Sequence, residues 1–261
     1  MSVSIHILSP LSKGLFQNAI LESGSIYTDK RFMTKSQALK SAKKYSQELG
    51  CNDQSNQMKC LKQIHAKTAN SFNFTFVHFF TTLKFLPIVD EAFYPVESFQ
   101  AFKTGQFNSG INILAGVVAN EGSVSVQKWF DEIDSDPTKL NKNVKEYLNK
   151  ELNVNKLKSE EIRRKVIDFY IDDEIDVNKI KYKTGQLYGD LVISCPTYYM
   201  QRDIMLWSED NKVFMYKLTY KSKLNSSNSI AETKDWIGVS HSDDIEFVFG
   251  TSLLYPERYS E

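Results

Sequence analysis

The 261-residue chain lacks an excess of charge of either sign, because 32 basic residues balance 32 acidic ones. Without a net field, it has no general attraction for nucleic acid or for an anionic membrane. Its longest apolar runs are far too short to cross a bilayer. The chain also lacks a phosphate-binding glycine loop, a dinucleotide fingerprint and any spacing typical of metal ligands. We therefore expect no nucleic-acid partner, no transmembrane segment, no metal and no cofactor.

Cysteine is scarce, with three residues in the chain. Cys51 and Cys60 are spaced for a small local disulfide loop, whereas Cys195 has no such neighbour; free buried cysteines are the alternative. Asn73 and Asn225 each begin a triplet that fits the acceptor pattern for N-glycosylation. These features point to the secretory pathway. The first residues, MSVSIHILSPLSKG, nevertheless have neither the basic start nor the apolar core of a signal peptide.

The chain does have short apolar runs that alternate with longer amphipathic stretches. Three of the runs predict buried strands: NAILESGS (18–25), INILAGVVA (111–119) and KVFMYKLTY (212–220). Helical periodicity falls between them in five stretches, 36–49, 95–105, 137–152, 159–171 and 185–207. Pro95 and Pro137 each stand at a position where a helix begins. Strands separated by helices predict an α/β fold with an open sheet.

Two candidate reactive side chains follow predicted strands. Glu121, in ANEGS, comes directly after the second strand, and His241 lies in the long loop after the third. In open α/β sheets, reactive residues occupy the loops at the carboxyl ends of strands. An acid that precedes a histidine fits the last two positions of the order Ser…Asp/Glu…His in α/β-hydrolases. From spacing alone, a solvated surface carboxylate and a structural histidine stay open as alternatives.

Three long stretches of the chain resemble a known family. Residues 2–25, SVSIHILSPLSKGLFQNAILESGS, resemble the segment after the nucleophile elbow of type-B carboxylesterases and cholinesterases. Residues 85–123 resemble the acid-bearing region of that family. WIGVSHSDDIEFVFG (236–250) resembles its histidine motif, and EFVFG is acetylcholinesterase-like. The resemblance implies an α/β-hydrolase fold, of which residues 1–261 would form a partial domain with the C-terminal part of a mostly parallel sheet flanked by helices.

Carried over by position, the resemblance implies roles for three side chains. Glu121 matches the acid of a Ser-Glu-His triad, and His241 matches its general base. Ser23, in LESGS, matches a serine that supports the acid. An ionised carboxylate fixes the tautomer of the imidazole and stabilises the imidazolium that forms when the base takes a proton.

The same resemblance implies that part of the family domain lies outside this chain. The Gly-x-Ser-x-Gly elbow and the oxyanion loop precede the segment that residues 2–10 match, and the family chain continues past Glu261. Cys51 and Cys60 match the family's local disulfide, whereas the partner of Cys195 lies in the missing C-terminal region. We therefore expect an internal fragment of an esterase that is secreted or held at the cell surface. Alone, the fragment should be inactive and prone to aggregate through open sheet edges.

The residues after the acid bear on the substrate. Cholinesterases typically place aromatic side chains there, since aromatic faces attract a quaternary ammonium group. In this chain residues 124–128 read VSVQK, and Lys128 would repel a cationic ester. Residues 79–83, FFTTL, match the stretch that lines the acyl pocket in members of the family. They suit an acyl group larger than acetyl. The expected substrate is a small carboxylic ester, with a choline ester left open. The alternative is a non-catalytic, neuroligin-like adhesion or binding protein.

Overall fold

The computed structural model describes residues 1–28, 32–53, 55–70, 86–90, 92–95, 97–132, 137–154, 157–221 and 234–258. The chain forms two compact units, which are Met1–Asp29 together with Ser98–Glu261, and Lys30–Glu97. The second unit lies in the sequence between the two parts of the first, so it interrupts the first unit along the chain. The sequence predicts a single partial domain over residues 1–261.

The first unit contains a parallel sheet of three strands in the order β1–β2–β3. The strands are β1 (Asn18–Glu22), β2 (Asn112–Val118) and β3 (Lys212–Leu218). Each strand lies inside the apolar run that predicts it, and helices occupy the chain between them. The predicted α/β class, a parallel sheet flanked by helices, is therefore confirmed.

Burial decreases across this sheet from β2 to β3. In β2, Ile113 and Ala115 project to the same face and are fully buried, whereas Leu114 on the other face is 39% exposed. The sequence predicts that β3 is buried too, and this prediction is wrong: none of its side chains is buried, and Phe214 is 60% exposed. Among the described residues β3 pairs with β2 alone. An apolar run predicts a strand but does not determine which of its side chains other elements cover.

Helices make up most of the remaining described chain. Those of the first unit are α1 (Ser2–Leu8), α5 (Ser98–Lys103), α6 (Ser123–Glu132), α7 (Pro137–Val154), α8 (Glu160–Ile171), α9 (Val177–Gly189), α10 (Cys195–Trp207), α11 (Ile245–Val248) and α12 (Thr251–Leu254). Those of the second unit are α2 (Lys35–Glu48), α3 (Gln57–Gln63) and α4 (Ala66–Asn70). Pro137 begins α7 as predicted, whereas α5 begins three residues after Pro95.

The long helix predicted over residues 185–207 is interrupted in the structure. Asp190–Ser194 forms a π-helical turn between α9 and α10. Pro196 lies in the first turn of α10, where it has no N–H to donate to the preceding turn. A wider π turn accommodates this break in the hydrogen-bond ladder without ending the helical path.

The second unit is organised around α2 and a disulfide. Thr34 and Gln37 form a capping box at the start of α2, because each side chain bonds the backbone N–H of the other residue. Cys51 and Cys60 form the disulfide that the family resemblance implies, with their Cα atoms 5.7 Å apart. Asn73 and residues 79–83 lie outside the described residues.

A buried arginine joins α7 to α8. The guanidinium of Arg163 donates to the side chain of Asn149 at 2.7 Å and to the carbonyl oxygens of Leu157 and Lys158, both at 2.8 Å. Arg163 is buried, whereas its acceptors Asn149 and Leu157 are half-buried, so its removal breaks hydrogen bonds that water can replace only in part. The hydrogen bonds hold the segment after α7 against the first turn of α8.

We expect Arg163→Ala to lower the free energy of unfolding by about 2–3 kcal/mol, because three hydrogen bonds from a buried, charged donor are lost at once. Urea unfolding monitored by circular dichroism measures the change. The exposed neighbour Arg164 supplies the matched control, since Arg164→Ala removes the same side chain from the solvent face of α8. Equal midpoints for the two variants would contradict the role given to Arg163.

Candidate active site

Glu121 lies in the turn between β2 and α6, at the carboxyl end of the central strand. Its Oε1 accepts a hydrogen bond from Ser23 Oγ at 2.5 Å and one from the Val118 backbone N–H at 2.8 Å. Its Oε2 lies 2.7 Å from Nδ1 of His241. An ionised carboxylate has acceptors only, so the proton of that last bond is on Nδ1 and neutral imidazole has its basic position at Nε2. Three donors thus fix the orientation of the carboxylate.

The side chains of this pair differ in exposure. The Glu121 side chain is 1% exposed, whereas that of His241 is 45% exposed. A buried acid is held rigidly and away from competing water, and the half-exposed ring is accessible from one side. This difference in exposure suits an acid that orients the imidazole and a base that exchanges a proton with a bound molecule.

Close backbone packing positions the acid. A Cβ atom at Gly122 would lie 2.1 Å from the carbonyl oxygen of Gly185, and one at Gly189 would lie 3.0 Å from Cβ of Glu121. Helix α9 therefore contacts the turn of Glu121 through its glycine face. Gln186, between those glycines, also donates to the Ala119 carbonyl at 3.2 Å. The Gly-x-x-x-Gly spacing is the only sequence signal of this contact.

Asn120 connects the acid turn to the histidine loop. Its backbone N–H donates to the Val239 carbonyl, and its Oδ1 accepts from the Val239 N–H, both at 2.9 Å. Gly238 has a φ of 64° and lies so near that a Cβ there would be 2.1 Å from Asn120 Oδ1. A side chain at position 238 would thus be strained and would displace the amide. Two residues before the histidine, the loop is held directly beside Glu121.

A tight turn encloses His241 on its other side. The N–H of Ser240 donates to Asp243 Oδ2 at 2.7 Å, and the N–H of Asp243 donates back to the Ser240 carbonyl at 3.0 Å. Ser242 has a φ of 79°, a left-handed conformation that reverses the chain at this point. The turn fixes the backbone of His241 independently of its bond to Glu121.

The other residues singled out from the sequence lie elsewhere. Cys195 is a free, exposed cysteine at the start of α10. Partial desolvation of the thiol, and then the negative charge of Asp190, raise its pKa, so Cys195 stays protonated at neutral pH. Asn225 lies outside the described residues. Val124 and Ser125 are in the first turn of α6, immediately after the acid turn; Val124 is half-buried and Ser125 is exposed.

Sequence reasoning missed the residues that hold the site together. Asn120 and the glycines of α9 act through backbone contacts, which have no characteristic side-chain pattern. Within the described residues, no group of three His, Cys, Asp or Glu side chains is arranged to bind a metal ion. None of the described helices has the length and apolarity required to span a membrane.

The parallel sheet, with a buried carboxylate at one strand exit bonded to a histidine after the next strand, defines part of an α/β-hydrolase. The profile of the carboxylesterase family matches residues 1–261, and the chain belongs to that family.

The chain is similar to several curated proteins. It is 26% identical over 286 residues to "Acetylcholinesterase 4" of Caenorhabditis briggsae, covering 99% of this chain and 45% of that protein. It is 27% identical to "Acetylcholinesterase-1" of Trittame loki, covering 100% of this chain and 47% of the relative. For "Acetylcholinesterase" of Bungarus fasciatus the identity is 25%, with 97% and 41% covered. The chain spans less than half the length of these relatives.

Proposed function

We propose that this chain supplies the acid and the base of a Ser-Glu-His triad in a carboxylic-ester hydrolase, with a nucleophilic serine outside residues 1–261. The observation that carries the proposal is the 2.7 Å contact between His241 Nδ1 and buried Glu121. Support for the acid comes from Ser23, which bonds the same carboxylate. The chain contains no Gly-x-Ser-x-Gly sequence, the turn that exposes the nucleophile in this fold.

The chemistry assigned to these residues is proton transfer. As the serine oxygen attacks the ester carbonyl, Nε2 of His241 takes its proton, and Glu121 stabilises the imidazolium. The same proton then passes to the departing alkoxide, which leaves as an alcohol and generates an acyl-enzyme. In the second half, Nε2 takes a proton from water, whose oxygen attacks the acyl group, and returns it to serine. Acid and enzyme are released with no net proton consumed by the triad.

We propose an uncharged carboxylic ester as the preferred substrate. Binding of a quaternary ammonium group is favoured by aromatic faces within about 6 Å of the charge. Val124 and Ser125 occupy the first turn of α6, next to the acid, and provide no such face. A choline ester would therefore have no cation–π interaction with the first turn of α6. An uncharged ester loses nothing there, because it makes no such interaction.

The other proposed properties follow from the same assignment. We propose that residues 1–261 form part of one α/β-hydrolase domain, interrupted along the chain by Lys30–Glu97. The Cys51–Cys60 disulfide supports a secretory and extracellular location, because such bonds persist in oxidising compartments. Glycosylation at Asn73 and Asn225 stays a prediction from the sequence.

The competing proposal is a non-catalytic adhesion or binding protein built on the same scaffold. Such a protein has no need of a histidine bonded to a buried carboxylate, so the Glu121–His241 pair favours the enzyme. The residue at the centre of the Gly-x-Ser-x-Gly elbow in the full-length protein discriminates between the two. Serine there supports the hydrolase, and glycine or alanine supports the binding protein.

Hydrolysis assays test the substrate proposal. For the full-length protein we expect kcat/KM to be about tenfold or more higher for 4-nitrophenyl butyrate than for acetylthiocholine, since one cation–π contact contributes roughly 1–2 kcal/mol. The 261-residue chain alone should hydrolyse neither ester above background. A clear preference for acetylthiocholine would contradict the proposed substrate class, and turnover by the isolated chain would place the nucleophile within it.

A further inference from the structure

Three residues stand side by side across the sheet, near the carboxyl ends of the strands. Glu22 pairs with Gly116, and Gly116 pairs with Tyr216 in the parallel register. Residues in one such row project to the same face of a sheet. A Cβ at Gly116 would lie 2.2 Å from the Tyr216 ring. The ring therefore lies over the backbone of β2, between the two outer strands.

Tyr216 connects β3 to the loop of the histidine. Its hydroxyl donates to Asp244 Oδ2 at 2.6 Å. Asp244 is 2% exposed and follows His241 by three residues, at the start of α11. Burial, the bond to Asp244 and the negative charge of Asp244 raise the pKa of this phenol. Tyr216 therefore stays a protonated donor throughout the neutral range.

Two carboxylate oxygens in this cluster are buried and lack a hydrogen-bond partner among the described residues: Glu22 Oε1 and Asp244 Oδ1. Burial, and then the negative charge of Asp244, raise the pKa of Glu22 from its ordinary value of 4.5. Asp244 is buried and Glu22 is half-buried, and two such neighbouring carboxylates rarely both ionise, since each charge raises the free energy of the other. One proton placed between the two oxygens would satisfy both of them.

We propose that Glu22 retains this proton and donates it to Asp244 Oδ1, so that Glu22, Asp244 and Tyr216 form a hydrogen-bonded chain that holds the His241 loop on the sheet. Asp244 then accepts from β1 through Glu22 and from β3 through Tyr216. The other titratable groups beside the cluster include the buried Asp243 and Glu246, which lie one and two residues from Asp244 in the chain. Glu121 and His241 are nearby too, and they bond to each other. Glu22 and Asp244 are thus positioning residues for the base, a role that rests on the proposed triad.

The pH dependence of unfolding tests the proton on Glu22 directly. A carboxyl with a raised pKa binds its proton more tightly in the folded than in the unfolded protein, so its stabilising effect is lost as pH rises above 4.5 through the raised value. In Glu22→Gln an amide N–H donates to Asp244 at every pH. We expect the urea midpoint of Glu22→Gln to rise relative to wild type across that window. Exposed Glu209 supplies the control, and Glu209→Gln should show a constant difference.

The magnetic resonance signal of the His241 Nδ1–H tests the positioning role without an ester substrate. A short bond to Glu121 shifts this proton far downfield. We expect Glu22→Leu to lose the signal by freeing the loop and Glu22→Gln to retain it. If the urea midpoints of wild type and Glu22→Gln changed in parallel with pH, the shared proton would be overturned. An unchanged Nδ1–H signal in Glu22→Leu would overturn the positioning role. Neither outcome depends on hydrolysis, so failure here is distinct from failure of the proposed function.

Discussion

Replacement of His241 by alanine in the full-length protein should lower kcat for ester hydrolysis by about a millionfold, because the members of such a triad act as a unit. Without the imidazole, no group takes the proton from the attacking serine. The Glu121 carboxylate cannot substitute for it, since that side chain is buried and is held in place by Ser23 and the Val118 N–H, which both donate to its Oε1. KM should change little, because the ring contributes to proton transfer more than to substrate binding. Steady-state kinetics with 4-nitrophenyl butyrate measure both parameters.

His65 provides the control for this experiment. It is an exposed histidine of the second unit, where its Nδ1 accepts from the N–H of Lys67. We expect His65→Ala to retain wild-type kcat. Near-normal turnover by His241→Ala would show that His241 is not the base, and an equal loss in His65→Ala would indicate a general effect on folding.

Replacement of Glu121 by glutamine should lower kcat by about ten-thousandfold, because an amide in this position favours the wrong tautomer of the imidazole. Ser23 and the Val118 N–H both donate to Oε1, so that atom must stay the acceptor oxygen. The amide nitrogen then faces His241 Nδ1 and donates to it. The imidazole proton moves to Nε2, where a base needs its lone pair. The loss should be smaller than for His241→Ala, since the imidazole is still present.

The matched control is Glu160→Gln, which makes the same chemical change at an exposed position in the first turn of α8. Circular dichroism should show that both variants are folded. A Glu121→Gln variant with more than a tenth of the wild-type kcat would contradict the role of Glu121 as the orienting acid. Loss of activity in Glu160→Gln would mean that charge loss alone impairs the protein.

The sequence predicted the parts of this site that have side-chain chemistry. Glu121 and His241 could be picked out because each follows a predicted strand, and the resemblance then singled out Ser23. The contacts that bring them together were not predictable in the same way. Asn120 reaches the histidine loop through its backbone and one amide oxygen, and Gly185 matters through the side chain that it lacks. Such interactions depend on the distance between segments far apart in sequence.

The fold, too, was predictable from the sequence in part. Strand positions followed from apolar runs, and β1, β2 and β3 each lie inside the predicted stretch. The degree of burial did not follow, because an apolar run predicts a strand and not which of its side chains are covered; none of the β3 side chains is buried. The π turn Asp190–Ser194 was missed for another reason. The helical periodicity continues through it, and the break depends on the backbone of Pro196.

Peptide mapping of a fluorophosphonate adduct tests the central claim most directly, because this reagent labels a serine that a neighbouring base has activated. In the full-length protein we expect one labelled serine, in a Gly-x-Ser-x-Gly sequence outside residues 1–261, and no labelling in His241→Ala. Labelling of a serine within these residues, or labelling that persists without His241, would contradict the assignment of Glu121 and His241 as the acid and base of the triad.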